Sequence, residues 1–289
     1  MSKRTREEDK QPDAKKQKTP TIPIARGRFK NRWLTKHSSL LKRSDSAYGL
    51  MVSCGVNAET RALGQVQTLL DQYIPLLFPD HKLTWERFEG ELDVPDLPTS
   101  QKEESEQKQD DTAQQEDEEE EKNESRKDKR IQPVDAACGG LIFYRFRVDV
   151  KPTDFVAKLF QHMLQLDSDE RKQQANKIRH CARWIPLDYI CPATTDRIAP
   201  CFERLRKECL DDKPADTKIA IFTEIRNNEL LKKPDVIQLI APMLPSKLKV
   251  DLKNPDYVIF VTIFKSVCGM SVLKNYYSMK KYNLVAMLQ

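Results

Sequence analysis

The sequence predicts an α/β protein with mixed sheets, and two observations support this class. Short apolar runs with the composition of strands recur along the chain, as in "YGLMVSC" (48–54), "GGLIFYRFRVDV" (139–150) and "YVIFVTIF" (257–264). Segments with apolar residues at helical spacing stand between them, such as "KPTDFVAKLFQHMLQL" (151–166). Strands that alternate with helices are typical of layered α/β folds.

The composition indicates a globular protein that carries disordered segments. The chain has 289 residues, of which 39% are hydrophobic and 32% are charged, and this length allows two modest domains. No run approaches the roughly 18 apolar residues of a membrane helix, and "MSKRTREEDK" has no apolar core of a secretory signal. Seven cysteines without dense spacing favour reduced thiols.

Charge is unevenly distributed, although the net charge of the chain is only +5. Residues 1–43 hold 14 basic and 4 acidic residues, whereas residues 101–124 hold 12 acidic and 3 basic ones. Residues 125–289 are basic again, with 29 basic against 19 acidic residues. A basic C-terminal half suits a partner rich in phosphate, although a solvated surface would give the same counts.

Residues 1–46 lack periodicity, so we expect a basic disordered tail. Two clusters in it are spaced like a bipartite nuclear import signal, which predicts the nucleus or nucleolus and leaves a cytosolic pool open. These clusters are Lys3 and Arg4, then Lys15, Lys16 and Lys18. "RGRFKNRWLTKHSSLLKR" (26–43) interleaves aromatic and basic residues, a mixture that suits RNA but also occurs in a plain leader.

The first ordered unit combines strands and helices around an insertion. After the strand at 48–54 we predict a helix that is capped by Asn57, runs through Tyr73 and is ended by Pro75 and Pro79. Residues of about 90–135 are of low complexity and have little to bury, so an acidic disordered insertion is expected there. The strand at 139–150 and the helix at 151–166 follow, and this order is typical of a split βαβ sheet.

The second unit repeats the alternation of strands with helices. Predicted strands are 177–187, 218–226, 248–252, 257–264 and 270–273, and predicted helices are 194–210 and 232–244. Gly269 is expected to permit a turn or bulge that brings the last strand beside the long apolar one.

Signals of catalysis are poor. The chain has only eight glycines, and GxGxxG, GxxxxGK[ST] and GxSxG do not occur in it. "NPDY" (254–257) resembles a methyltransferase motif, but that motif works beside a glycine-rich loop, so a turn is predicted instead. Cysteines at 181, 191, 201 and 209 form no CxxC pair, which favours buried thiols over a zinc site. We therefore predict no catalytic site and no metal site.

Basic and amide side chains gather just past predicted strand ends, where they could reach phosphates and ribose hydroxyls. Each one alone is more simply explained as an ordinary surface residue, but their shared position favours RNA contact. They are Arg226, Asn227, Asn228, Lys265, Ser266, Lys274, Tyr276, Tyr277, Lys280, Lys281 and Tyr282, together with Arg179, Arg183 and Trp184 near another strand.

Three segments resemble a known family. "KVDLKNPDYVIFVTIFKSVCGMSVLKNYYSMKKYNL" (249–284), "EIRNN" (224–228) and "KIRHCARWIPL" (177–187) are similar to the THUMP-domain tRNA-acetylation adaptors of yeast and animals. The resemblance covers roughly residues 47–73 and 139–284. It implies a ferredoxin-like unit at 47–167, interrupted by the acidic insertion, then a THUMP domain at 168–284 and a C-terminal end at 285–289.

The resemblance also implies a function. Members of this family bind tRNA, chiefly through its acceptor end, and have no catalytic activity. They present serine and leucine tRNAs to an RNA cytidine acetyltransferase with helicase and acetyltransferase modules, which makes N4-acetylcytidine in the D-arm. Acetyl-CoA and ATP belong to that partner, so this chain is expected to use no cofactor and to contact no membrane.

The resemblance implies an RNA-facing role for the residues that match the family pattern. These are Arg226, Asn227, Asn228, Lys265, Lys274, Lys281 and Tyr282. Cys268 and Gly269 depart from a pair of cysteines in the animal form, which argues against a metal or redox role there. Two alternatives stay open, a general nuclear RNA-binding protein and the targeting module of a tRNA-modifying enzyme.

Overall fold

The computed structural model describes residues 34–42, 47–84 and 130–289. The predicted import signal, the aromatic residues of the basic tail and the acidic insertion up to residue 129 lie outside the described residues. The strands are β1 (Thr35–Lys36), β2 (Gly49–Cys54), β3 (Ile131–Asp135), β4 (Leu141–Phe146), β5 (Cys181–Leu187), β6 (Tyr189–Pro192), β7 (Lys218–Arg226), β8 (Lys249–Val250), β9 (Tyr257–Phe264) and β10 (Val267–Lys274). The α-helices are α1 (Ser39–Lys42), α2 (Glu59–Leu77), α3 (Pro152–Gln165), α4 (Ser168–Lys177), α5 (Thr195–Cys209), α6 (Lys233–Ile240) and α7 (Leu284–Leu288), and 3-10 turns occur at Ala241–Met243 and Lys280–Tyr282.

The first sheet has the strand order β1-β3-β4-β2-β5. Each neighbouring pair in the row β3, β4, β2 and β5 is antiparallel, and the order along the chain is β2-α2-β3-β4-α3-α4-β5. This is the split βαβ arrangement that the sequence predicts. Strand β5, the last strand of the first unit, lies beyond residue 167, where the sequence predicts that this unit ends. Only Asp188 separates β5 from β6, so the sequence shows no break between the two units. Strand β3 occupies residues that we had assigned to the insertion.

Helix α2 differs from its prediction at both ends. Asn57 does not cap it, because Asn57 has a left-handed φ of 74° and Ala58 takes the cap position without a side-chain hydrogen bond. Pro75 does not end it, since the helix continues past the predicted limit at Tyr73 to Leu77, with Phe78 as its C-cap directly before Pro79, the other predicted stop. A proline in the last turn removes one backbone donor without interrupting the turns before it.

Helix α4 was not predicted, because it has no apolar stripe and buries only Ala175 among its residues. Its start is instead fixed by Asp167, whose carboxylate accepts hydrogen bonds from the backbone N–H groups of Asp169 and Glu170.

The second sheet has the strand order β6-β10-β9-β7-β8. Strands β7 and β9 are parallel, whereas β10 runs antiparallel to both β9 and β6. The turn between β9 and β10 is Lys265–Ser266, so the turn or bulge expected at Gly269 is wrong. Gly269 lies inside β10, where a Cβ atom would come within 2.5 Å of Leu187 Cδ1. A larger residue at this position would therefore force the buried side chain of Leu187 to move.

The two sheets pack face to face, and helices cover their outer faces. The rings of Phe143 in β4 and Phe264 in β9 lie 6.1 Å apart between the sheets, and one hydrophobic cluster includes residues of both. Helices α2 and α3 pack on the first sheet, and α5 and α6 pack on the second. The arrangement is therefore helix, sheet, sheet, helix. In the described part of the chain, none of the helices has the length and apolar composition that crossing a membrane needs.

Candidate nucleic-acid interface

The predicted RNA-facing residues divide between opposite ends of the second sheet. Arg226 is paired with Phe264, so it lies beside the Lys265–Ser266 turn, whereas Lys274 is paired with Tyr257 at the start of β9. Strand β9 has eight residues, and at about 3.3 Å per residue its ends lie about 23 Å apart. We call the first group the hairpin end and the second the tail end. The fold therefore does not bring these residues together on one surface past the strand ends.

The hairpin end consists of Arg226, Asn227, Asn228 and Lys265. Lys265 is exposed and takes a left-handed φ of 54°, and its backbone N–H donates to the carbonyl of Arg226 at 3.1 Å. This conformation points the turn away from the sheet and leaves the ammonium group in solvent. Arg226 is half-buried at the end of β7, next to the turn. Two cations thus stand side by side where two strands end.

The two asparagines of the hairpin end have structural partners. Asn228 Nδ2 donates to the carbonyl of Lys265 at 2.7 Å, while its Oδ1 accepts from the backbone N–H groups of Leu230 and Leu231. Asn227 Nδ2 donates to the carbonyl of Ala137 at 2.9 Å, which links the second sheet to the loop between β3 and β4. Both amides therefore position the cations, and Asn228 has little capacity left for a ligand.

The first unit adds basic residues to the hairpin end that were not singled out from the sequence. Lys36 pairs with Asp135 in the parallel β1–β3 ladder, and His37 follows it. Burial lowers the pKa of His37, Asp135 opposes this shift, and Lys265 adds to it. His37 and Lys265 are therefore close in space. The basic block at 26–43 was the only signal, and local sequence cannot show that β1 joins a sheet edge.

Two thiols beside this site are held in the protonated form. Burial raises the pKa of Cys54 to about 11, Glu59 adds to the shift, and Arg226 opposes it. Burial also raises the pKa of Cys138, against the opposing effect of Arg226 and Lys265. Because the thiolate is the reactive form, these cysteines are poor nucleophiles. Among the described residues, no group of three or more His, Cys, Asp or Glu side chains is placed to hold a metal ion.

The tail end carries exposed cations on an unusual turn. Lys274, Lys280 and Lys281 are exposed, and Tyr277 is 42% exposed beside them. Lys280, Lys281 and Tyr282 have consecutive φ angles of 49°, 56° and 61°, a left-handed turn without glycine. Each such residue costs roughly 1–2 kcal/mol. Packing must hold this turn, which keeps the lysines in fixed positions.

Tyr282 supplies that packing, and so it does not face solvent as the resemblance implied. Its side chain is 6% exposed, its ring lies 5.6 Å from Phe160, and its hydroxyl donates to the carbonyl of Lys274 at 3.0 Å. Burial raises its pKa. A ring enclosed in this way cannot stack on a base. The RNA-facing role predicted for Tyr282 is therefore wrong, because the chain turns back over the sheet after β10.

The other residues that drew attention in the sequence have different environments. Trp184 is fully buried, and Arg183 forms an ion pair with Glu224 across the two sheets. Arg179 is exposed, and its Nε lies 3.4 Å from His180 Nε2. Tyr276 is buried between the sheets, 5.5 Å from the ring of Phe222. Of this group, only Arg179 remains available to a ligand.

The second sheet is similar to a known domain family. Residues 192–273 match the family model of the THUMP domain, from the end of β6 to the end of β10. A mouse (Mus musculus) protein, "THUMP domain-containing protein 1", is 26% identical over 239 residues, which cover 82% of this chain and 63% of that protein. The chain thus spans less than two thirds of the length of this animal relative.

A yeast relative is matched over most of its length. "tRNA acetyltransferase TAN1" of Saccharomyces cerevisiae is 24% identical over 251 residues, which cover 82% of this chain and 83% of that protein. Among solved structures, the crystal structure of PH1313 from Pyrococcus horikoshii Ot3 is matched with a TM-score of 0.40 and 10% identity. That match covers 78% of this chain and 54% of the other.

Proposed function

Because the chain contains a THUMP domain and has THUMP-domain homologues in animals and yeast, we propose that it is a tRNA-binding adaptor. In this proposal it presents serine and leucine tRNAs to a separate RNA cytidine acetyltransferase, which forms N4-acetylcytidine in the D-arm. The adaptor contributes recognition and placement of the tRNA, and the partner contributes the chemical step.

The observation that carries RNA binding is the hairpin end. Arg226 and Lys265 belong to the second sheet, Lys36 belongs to the first, and Asn227 ties the two together. Clustered cations on a rigid frame suit the phosphates of a folded RNA, since each contact releases counterions. The exposed lysines of the tail end offer a second cationic contact beyond the other end of β10.

Support for tRNA acetylation as the pathway comes from the relatives. The name of the yeast relative, tRNA acetyltransferase TAN1, combines tRNA with acetyl transfer. For the present chain we assign acetyl transfer to a partner, and acetyl-CoA and ATP with it, because its sequence lacks the phosphate-binding loops named above. The family resemblance likewise implies that a partner enzyme carries out acetyl transfer. We place this activity in the nucleus or nucleolus on the basis of the basic clusters at residues 3–18.

The test measures N4-acetylcytidine by mass spectrometry in purified serine and leucine tRNAs, with and without the gene. We expect the nucleoside to disappear from these tRNAs and to persist in ribosomal RNA, because the acetyltransferase itself stays intact. Unchanged tRNA acetylation would reject the adaptor role and favour a general RNA-binding protein.

A reconstitution separates adaptor from enzyme. The purified chain is incubated with serine tRNA, acetyl-CoA and ATP, with and without the acetyltransferase. Acetylation that requires both proteins supports the adaptor role, and acetylation by this chain alone contradicts it. Lys265→Glu serves as the matched variant, since it alters an exposed turn residue and should lower the yield by weakening tRNA binding.

A further inference from the structure

A groove of about 450 Å³ lies on the outer helical face of the first unit, between α2 and α4. Its floor is apolar and consists of the buried Leu69, Tyr73 and Ile178. Its walls carry amides, hydroxyls and two cations and no carboxylate. These wall residues are Thr60, Arg61, Gln65, Thr68, Gln72, Gln174 and Lys177. An apolar floor with convergent polar groups is the usual form of a ligand site, and the volume is in the usual range.

Gly64 lies in this groove and has no packing reason to be glycine. It is exposed in the middle of α2, and a Cβ atom built on it would meet no atom within 4 Å. A glycine inside a helix costs roughly 0.5–1 kcal/mol relative to alanine. The fold therefore tolerates a local loss of stability at a position where the helix backbone is open to a close approach from outside.

The polar groups of the groove are largely uncommitted. Gln65 Oε1 accepts from the backbone N–H of His180, which leaves its amide nitrogen as a donor. Within the described residues, Gln72 and Gln174 have no hydrogen bond and Arg61 and Lys177 have no ion pair. Amides that can both donate and accept match the edge of an unpaired base, and the cations match its phosphate.

Charge gives the groove a direction. Arg61 and Lys177 lie at the end where α2 begins and α4 ends, and Glu170 lies near Tyr73 at the opposite end. The basic end adjoins the hairpin end. Glu59, in the first turn of α2, accepts a hydrogen bond from the backbone N–H of Gly140. Glu59 and Arg226 both affect the pKa of Cys54, so both lie near this thiol. An RNA strand on the hairpin end can therefore continue into the groove.

We propose that the groove between α2 and α4 binds one unpaired RNA nucleotide, with its base over Gly64 between the amide side chains of the walls and its phosphate at Arg61 and Lys177. This inference rests on the proposed function, since it assumes that RNA occupies the hairpin end. A partner protein is the competing occupant. The absence of carboxylates from the lining and the continuity with the cationic hairpin end favour RNA.

The test uses the full chain with Gly64→Leu, which fills the groove, and Gly64→Ala as its matched control. Both replacements favour the helix, so thermal melting should show stability at or above the wild type. Affinity is measured at fixed salt for a fluorescent single-stranded uridine hexamer and for a blunt RNA duplex. We expect Gly64→Leu to weaken hexamer binding about fivefold or more, the effect of losing one base contact. Duplex affinity and the Gly64→Ala variant should match the wild type.

A second variant tests the phosphate contact. Arg61→Gln with Lys177→Gln should reduce the salt dependence of hexamer binding, whereas Lys172→Gln, on α4 in an ion pair with Asp169, should leave it unchanged.

Equal hexamer affinity in Gly64→Leu and wild type would overturn the inference alone, if the wild type still binds tRNA. A wild type that binds no tRNA would overturn the proposed function and this inference with it. Loss of acetyltransferase binding by Gly64→Leu at unchanged RNA affinity would assign the groove to a protein partner and reject the nucleotide.

Discussion

The guanidinium of Arg183 donates a hydrogen bond to a carboxylate oxygen of Glu224 at 2.5 Å, and this pair joins β5 of the first sheet to β7 of the second. The two side chains are 23% and 15% exposed. An ion pair that is covered in this way loses solvation on both sides, so removal of one partner leaves an uncompensated charge. A residue that looked like an RNA contact in the sequence thus helps to fix the relative position of the sheets.

Replacing one member of this pair should destabilise the protein. We expect Glu224→Ala to lower the free energy of unfolding by about 2 kcal/mol, less than the 3–5 kcal/mol of a fully buried pair because water reaches both groups. Urea denaturation followed by circular dichroism measures the change. Arg183→Met and the double variant complete a cycle, and additive losses would show that the two side chains do not interact.

The two cationic ends should contribute independently to RNA binding. Lys265→Glu and Lys281→Glu are each expected to weaken tRNA binding and to reduce the salt slope by about one phosphate contact. Because Lys265 lies in the turn before β10 and Lys281 follows the other end of β10, their effects on the binding free energy should add in the double variant. Affinity titrations across a salt series, with circular dichroism as the folding control, provide the measurement. Wild-type affinity and slope in a folded variant would remove that end from the interface.

Strands with continuous apolar sequence were predictable to the residue. The predicted limits 257–264 and 218–226 are those of β9 and β7. In β9, burial on both faces gives a nearly continuous apolar run, whereas β7 is a β-branched and apolar segment that is only partly buried. The two-residue strand β1 and the polar helix α4 have no such pattern. Strand β1 is defined by its pairing with β3, and the start of α4 is defined by the Asp167 cap. The position of Tyr282 was not predictable either. It depends on a left-handed turn and on contacts with Phe160, more than 100 residues away in the chain.

Tyr282 should affect stability and leave RNA contact unchanged. Tyr282→Phe removes the hydroxyl that donates to the carbonyl of Lys274, so we expect a loss of about 1 kcal/mol in the free energy of unfolding. The ring still fills its site, and tRNA affinity at a temperature where the variant is folded should equal that of the wild type. A lower affinity without a loss of stability would return Tyr282 to the RNA-binding surface. Lys281→Gln is the matched control, because it removes a charge at a neighbouring exposed residue and leaves the Tyr282 hydroxyl in place.

Asp188, which links the two sheets, should make the free energy of unfolding depend on pH. Asp188 is the single residue between β5 and β6, and its carboxylate accepts hydrogen bonds from the backbone N–H and the hydroxyl of Thr153. Burial raises its pKa from 3.8 to about 6, against the opposing effects of Thr153 and Lys151, and Asp154 adds to the rise. The folded protein therefore holds this proton more tightly than the unfolded chain does.

The contribution of Asp188 is thus fully present below about pH 4, and it is lost as the pH rises from about 4 to about 6. The loss is on the order of 2–3 kcal/mol, at about 1.4 kcal/mol for each unit of pKa difference. Asp188→Asn should remove this decline, so that the difference in urea midpoint between variant and wild type grows across that window and is constant above it. Thr153→Val removes one hydrogen bond to the carboxylate and should extend the decline to higher pH, while its onset near pH 4 stays the same. Parallel pH profiles for wild type and Asp188→Asn would show that the carboxyl group does not titrate in this range.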